Sequence, residues 1–274
     1  MTETVTPPAA SSRHTAADHG AGTTRLAIVA PNGRMGSALI ALADSAPAVT
    51  ITARIIPVGE QGGVPLAAVD PEMVDVLIDF SHREAVVDHA DWCAQHGVAW
   101  VLGTTGLTTE DAAAVAAAAS RCVVFQASNF SLGVALLTDL AARAARVLGV
   151  EADVEIVERH HHHKRDAPSG TALSLAQAIA EARDQQLADV ITNGRDGLVG
   201  ARPRGEIGMH ALRLGDVVGH HALHFAWGHE ELVLTHEARD RGVFADGALR
   251  AALWCAAHRA AGNVGARGMS DMLA

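Results

Sequence analysis

Apolar residues fall along the chain in short continuous runs separated by longer amphipathic stretches, and the two alternate. Leu26-Ala27-Ile28-Val29 is wholly apolar and of strand length, the pattern of a strand buried on both faces of a parallel sheet. It runs through Ala30-Pro31-Asn32-Gly33-Arg34-Met35-Gly36 into Ser37 to Leu42, which has helical composition. Further strands are predicted at Val49 to Ile55, Asp75 to Phe80, Val98 to Leu102 and Val123 to Ala127. Helices are predicted between them, at Arg83 to His96 and Glu110 to Ser120. This is the alternation of an α/β domain with a doubly wound parallel sheet, Rossmann-like in plan.

After Ser131 the texture changes. A long apolar helix, Leu132 to Leu148, leads to a strand at Val154 to Glu158 and then to a polar turn rich in histidine. A helix at Thr171 to Ala182 precedes a loop rich in Gly and Arg, Gly194 to Gly205. Three candidate strands come next, Ile207 to Leu214, Val217 to Ala226 and Glu231 to Ala238. Strands at such short spacing predict a second domain of α+β type, with an open mixed sheet containing antiparallel members. The Ala-rich stretch Gly247 to Ala261 predicts a terminal helix returning to the first domain. The division expected is a disordered tail over residues 1–24, a dinucleotide-binding domain over 25–130, a substrate-binding and oligomerisation domain over 131–240, and a returning segment over 241–274.

Composition narrows the function. The formal net charge of −10 over 274 residues excludes general nucleic-acid binding, which needs a basic surface to displace counterions. Aromatic residues make up 3% and tyrosine is absent, which removes every mechanism built on a catalytic tyrosine. Cys93, Cys122 and Cys255 are dispersed and form no CxxC pair, as expected of reduced core thiols in the cytoplasm. No apolar run approaches the ~18 residues of a membrane helix. The tail lacks the basic and apolar regions of a secretory signal.

A loop between a buried strand and a helix start is where a dinucleotide pyrophosphate binds, on free N–H groups, with an ordinary strand-turn-helix as the plain alternative. Gly33 and Gly36 are present, but Ala30 stands where the pattern wants a glycine. About 20 residues on, an Asp or Glu would hold the ribose of NAD. Thr50 to Pro57 carries none, whereas Arg34 and Arg54 are cations that could face a 2′-phosphate. NADPH and NADH both remain open, with a lean to NADPH.

Glu155-Ile156-Val157-Glu158-Arg159-His160-His161-His162-His163-Lys164-Arg165-Asp166-Ala167-Pro168-Ser169-Gly170-Thr171-Ala172 is the most informative stretch. Adjacent histidines point to different faces of a regular element, and no Cys or second His pair completes a metal site, so no metal is expected. A solvated polar turn is the plain alternative. A third possibility comes from the residues after the histidines. Asp166 to Thr171 looks like a helix start with Pro in the first turn and open N–H groups, which binds carboxylates or phosphates. A histidine and a lysine just before it add a proton donor and a cation. Together they describe a pocket for a small carboxylate.

This stretch, with its His-His-x-x-Lys-x-Asp-Ala-Pro-Ser-Gly-Thr-Ala core, closely resembles the signature of the 4-hydroxy-tetrahydrodipicolinate reductase (dihydrodipicolinate reductase) family. Gly33-Arg34-Met35-Gly36, Asp79-Phe80-Ser81, Gly103-Thr104-Thr105-Gly106 and Asn129-Phe130-Ser131 resemble the family's nucleotide loop and later strand-end motifs in order and spacing. Arg241 to Ala245 and Met269 to Leu273 are similar too. The resemblance covers Arg25 to Leu273. It departs at Ala30-Pro31-Asn32, which replaces a glycine-rich start, and after the second strand, where an acidic residue is missing.

The resemblance implies NAD(P)H-dependent reduction of a cyclic dicarboxylate in lysine and diaminopimelate biosynthesis, by a homotetramer. His160 corresponds to the proton donor and Lys164 to the second catalytic group. His161, Ser169, Gly170 and Thr171 correspond to substrate contacts. Ala30, Pro31, Asn32, Gly33, Arg34 and Met35, then Gly103, Thr104 and Thr105, then Ala127, Ser128, Asn129 and Phe130, correspond to cofactor contacts. His162 and His163 lie between matched positions as bystanders, and Arg241 is a candidate substrate or hinge contact. A nucleotide-binding regulator of the same fold is the alternative, suggested by the altered loop at Ala30.

Overall fold

The computed structural model describes residues 22–274, so the tail expected over 1–24 lies almost wholly outside the described residues. The chain is already in a strand at Thr24, which pairs with Val49. Elements of the first half are β1 (Thr24–Val29), α1 (Arg34–Ala43), β2 (Val49–Ile55), β3 (Val76–Asp79), α2 (Val86–His96), β4 (Ala99–Leu102), α3 (Thr109–Ala119) and β5 (Val123–Gln126). The second half holds α4 (Leu132–Leu148), β6 (Asp153–His160), α5 (Gly170–Ala182), α6 (Leu187–Val190), β7 (Ile191–Asn193), β8 (Ile207–Arg213), β9 (Gly219–Trp227), β10 (Glu230–Ala238), α7 (Gly242–Ala260) and β11 (Gly265–Arg267).

The first sheet has the order β11-β5-β4-β3-β1-β2, and every pairing is parallel. β3 and β4 are buried along their whole length, which is why they read as continuous apolar runs rather than as an alternation. α1 and α7 cover one face around Leu26, Ile28, Ile78 and Phe125. α2 and α3 cover the other around Ala27, Leu77, Trp100 and Val124. The chain leaves β1 for β2 on one side and β3 on the other, so a crevice opens at the carboxyl ends of β1 and β3, the place where such sheets bind ligands.

Two features of this half differ from the expectation. β11 is a sixth strand, three residues of Gly, Ala and Arg paired with β5, too short and too polar to show as a run. α7 begins at Gly242 rather than Gly247. Gly247 sits inside the helix because a side chain there would lie 1.7 Å from the Phe130 carbonyl oxygen, so the residue marks a close approach and not a boundary.

The second sheet is mixed, in the order β10-β9-β6-β8-β7. β8 and β9 are consecutive in sequence yet do not pair: β6 lies between them, parallel to β8 and antiparallel to β9. α4 and α5 bury Leu137, Ala141, Leu175 and Ile179 on one face, against Val154, Ile156, Ile207 and Phe225. Among the described residues no helix packs on the other face. There Glu155 binds Arg195, Arg202 and His210, and these bonds strap the Gly- and Arg-rich loop across β6 and β8.

Candidate active site

On β6 the residues Val154 and Ile156 face the core, and with a side-chain period of two the same face continues through Glu158 and His160. The strand runs two residues beyond Glu158, the end expected from sequence, and so the first histidine is a strand residue. Glu158 is fully buried. Its carboxylate accepts from His160 Nδ1 at 2.6 Å, from both Arg213 terminal nitrogens at 2.8 and 2.9 Å, and from the Ser169 amide at 3.0 Å. Burial pushes this carboxyl up, but the bonds from Arg213, His160 and Ser169 outweigh it and hold it below its ordinary value. An ionised carboxylate only accepts, so the His160 Nδ1 carries hydrogen and Nε2 is the free ring nitrogen. Gly219 keeps that nitrogen clear, since a Cβ there would come within 3.3 Å of it.

The same carboxylate sets the turn after the strand. Ser169 is the N-cap of α5, and its Oγ accepts from the Ala172 amide at 3.2 Å. The first amides of a helix have no partner within it, which leaves those of Gly170 and Thr171 available for an anion. Lys164 bonds Asp166 at 2.9 Å. His221 backs the site: its ring lies edge-on to His160 at 5.3 Å, and burial pushes it down to about 3. The Ser169 hydroxyl also meets His221 Nε2, at 3.3 Å.

His160, Lys164, Ser169, Gly170 and Thr171 share one cleft of about 970 Å³ with Thr105, Ala127, Ser128 and Asn129 from the first sheet. The two halves touch there. Asn129 Nδ2 donates to Thr171 Oγ1 at 3.0 Å while its Oδ1 accepts from the Ser131 amide at 2.8 Å.

Ala30, Pro31, Asn32 and Gly33 line a second cavity of about 660 Å³ at the crevice of β1 and β3. α1 starts at its edge with Gly33 as N-cap and no side-chain cap, so its first amides are open. A Cβ on Gly36 would fall 2.2 Å from the Ala30 carbonyl oxygen, so the loop and helix approach as closely as a pyrophosphate cradle requires. Ala30 takes a φ of +52°, a left-handed backbone that costs a non-glycine residue roughly 1–2 kcal/mol. Ala30 thus takes the conformation that a glycine reaches without strain. A nicotinamide nucleotide fits these residues.

Several expected contacts are placed elsewhere. Arg34 lines a third cavity with His161, His163 and Arg241, and Arg54 faces the outer edge of β2. Neither lines the nucleotide cavity, which instead receives Glu60. His161, the first residue past β6, lines that third cavity rather than the cleft, and its Nε2 meets Arg241 at 3.4 Å. His162 is pinned to the Gly215 carbonyl at 2.9 Å. The Phe130 ring is buried in the core against Phe80 and Phe125, and the Thr104 side chain is also buried, against Asp79 and Ser81. Met35, in the first turn of α1, packs against the core. Gly103 allows the Phe80 ring to sit against it, where a Cβ would be 2.1 Å away. Among the described residues no group of three His, Cys, Asp or Glu stands close enough to hold a metal ion. Sequence reasoning missed Glu158, Arg213 and His221. Glu158 stands within the signature stretch, but nothing local says that its carboxylate is buried.

The family models for the dihydrodipicolinate reductase N-terminus and C-terminus match residues 24–130 and 133–273. A 4-hydroxy-tetrahydrodipicolinate reductase of Roseobacter denitrificans is 42% identical over 255 residues, 87% of this chain and 93% of that one. Another, of Pseudomonas fluorescens, is 42% identical over 266 residues, 90% of this chain and 99% of that one. Among solved structures, a dipicolinate-bound dihydrodipicolinate reductase from Paenisporosarcina sp. TG-14 superposes with a TM-score of 0.73 at 26% identity, covering 92% of this chain and 100% of that one. With both halves matched and the relatives aligned nearly end to end, the chain belongs to the dihydrodipicolinate reductase family.

Proposed function

We propose that this chain reduces (2S,4S)-4-hydroxy-2,3,4,5-tetrahydrodipicolinate to tetrahydrodipicolinate, with loss of water, in lysine and diaminopimelate biosynthesis. The observation that carries this reading is one cleft holding His160 on a buried carboxylate, Lys164, the open start of α5 and the Asn129 loop. A bound NADH or NADPH supplies the hydride there. Ser169 fixes the N-cap, and the Gly170 and Thr171 amides hold a substrate carboxylate. Glu158 holds the His160 ring so that Nε2 delivers a proton, and Lys164 adds positive charge beside the reacting carbon. Ala30 to Met35, Gly103 to Thr105 and Ala127 to Phe130 cradle the nucleotide, Thr104 and Phe130 through their backbone.

Residues 25–130 serve as the nucleotide domain, 131–240 as the substrate and assembly domain, and 241–274 as the return. The face of the second sheet that carries no helix supports assembly with copies of the chain, and we propose a homotetramer. No helix among the described residues is long and apolar enough to cross a membrane; we propose a cytoplasmic enzyme without a nucleic-acid partner. The test tracks oxidation of NADH and of NADPH, in parallel, when the preceding synthase product is added. Turnover with either nucleotide supports the reading. Tight nucleotide binding without turnover points to a regulator instead.

A further inference from the structure

The first domain contains a buried ionisable pair that the reaction does not use. Asp79, the last residue of β3, is fully buried, and His89 on α2 is nearly so. The Asp79 Oδ2 meets His89 Nδ1 at 2.7 Å, while Oδ1 accepts from the Ser81 amide at 2.9 Å and the Ser81 hydroxyl at 2.6 Å. Thr104 Oγ1 points at the same oxygen from 3.5 Å and bonds the Ser81 carbonyl at 3.4 Å. Burial pushes the Asp79 carboxyl up, and the His89 and Ser81 bonds bring it below its ordinary value, so it is a carboxylate.

Its location matters. Asp79 ends the strand beside β1 at the crevice where the sheet changes direction, and Ser81 and His89 both line the nucleotide cavity with Ala30 and Gly33. One carboxylate therefore joins three segments: the loop after β3, the loop after β4 and the start of α2. These loops are also in contact through Gly103 and Phe80. A buried charge is expensive unless fully paired, and apolar packing would hold two loops together without that cost. What a carboxylate with directional partners adds is one fixed loop geometry.

We infer that Asp79 and His89 are positioning residues for the cofactor, setting the loops after β3 and β4 in the conformation that receives a nicotinamide nucleotide. The inference rests on the nucleotide-dependent function proposed for the cleft. Their counterpart at the other end of the same strand is Asp75, which pairs with Arg25 and Arg259 away from the cavity and serves as the structural control.

The experiment measures NADH and NADPH dissociation constants by calorimetry, with melting temperatures, for the wild type, Asp79→Ala, Asp75→Ala, His89→Leu and His89→Asn, all well below melting. Misplaced binding groups commonly cost about tenfold or more, so Asp79→Ala and His89→Leu should weaken binding at least about that much. Asp75→Ala should lower the melting temperature while leaving affinity within about threefold. His89→Asn keeps a donor near Nδ1 and should recover most of the affinity lost in His89→Leu, a comparison that stands even if Asp79→Ala does not fold. Unchanged affinity in His89→Leu, or equal losses in Asp75→Ala and Asp79→Ala, would overturn the inference. A wild type that binds neither nucleotide would instead sink the functional reading beneath it.

Discussion

The two sides of the cleft are built on different principles. On the substrate side, side chains carry the chemistry: His160, Arg213 and the Ser169 amide all converge on the Glu158 carboxylate. On the nucleotide side, backbone carries it: the open start of α1, the Ala30 turn and the close approach at Gly36. A side-chain device survives only with its residues, whereas a backbone device survives any residue that reaches the same dihedrals at tolerable cost. The nucleotide side accordingly accommodates Ala30 in a left-handed turn, whereas the group around Glu158 depends on the particular side chains present.

This difference can be broken most severely at Glu158. Glu158→Ala removes the fully buried carboxylate that joins His160, the half-buried Arg213 and the Ser169 amide, so the melting temperature should fall in a calorimetric scan. Acid tests the same network. Glu158 is held below its ordinary value, and Glu155 is taken to about 2 because bonds from Arg195, His210 and Arg202 outweigh burial. Both groups have lower pKa values folded than unfolded, so their stabilisation is present above the ordinary 4.5 and is lost as pH falls toward 2. Denaturant midpoints should decline across that window, and a flat profile would contradict the assigned bonds.

On the backbone side the effects are smaller. Ala30→Gly relieves the left-handed strain and should raise stability by about 1 kcal/mol, read from the denaturant midpoint, with nucleotide affinity kept. A loss of stability would show that the turn is misdescribed. Arg34→Ala and Arg54→Ala should leave the ratio of KM for NADPH and NADH unchanged, because neither arginine lines the nucleotide cavity. At the bottom of the scale, His162→Ala and removal of metal by a chelator should each leave activity intact. Activity restored by added zinc would revive a metal role for the histidines.

Most of the first sheet was legible because buried parallel strands are written as apolar runs. β11 was not, since Gly265-Ala266-Arg267 gains its strand character only from pairing with β5. The order of the second sheet was not legible either, because β8 and β9 are consecutive in sequence but are parted by β6. In the site, the resemblance singled out His160 and Lys164, which share the cleft. Sequence could not say that Arg213, distant along the chain, would meet Glu158, nor that β6 would end at His160 and leave His161 to a different cavity. Arg34, at the start of α1, and Arg54, in β2, line cavities other than the nucleotide cavity, a matter of orientation that spacing does not encode.

The central claim is that His160, held by Glu158, delivers the proton while the nucleotide side works independently of it. The direct measurement compares wild type with His160→Ala in kcat for nucleotide oxidation and in nucleotide dissociation constant. The account predicts a kcat lower by ~10²–10⁴, the usual loss for a general acid, with nucleotide affinity unchanged. A His160→Ala enzyme that turns over at the wild-type rate would contradict it.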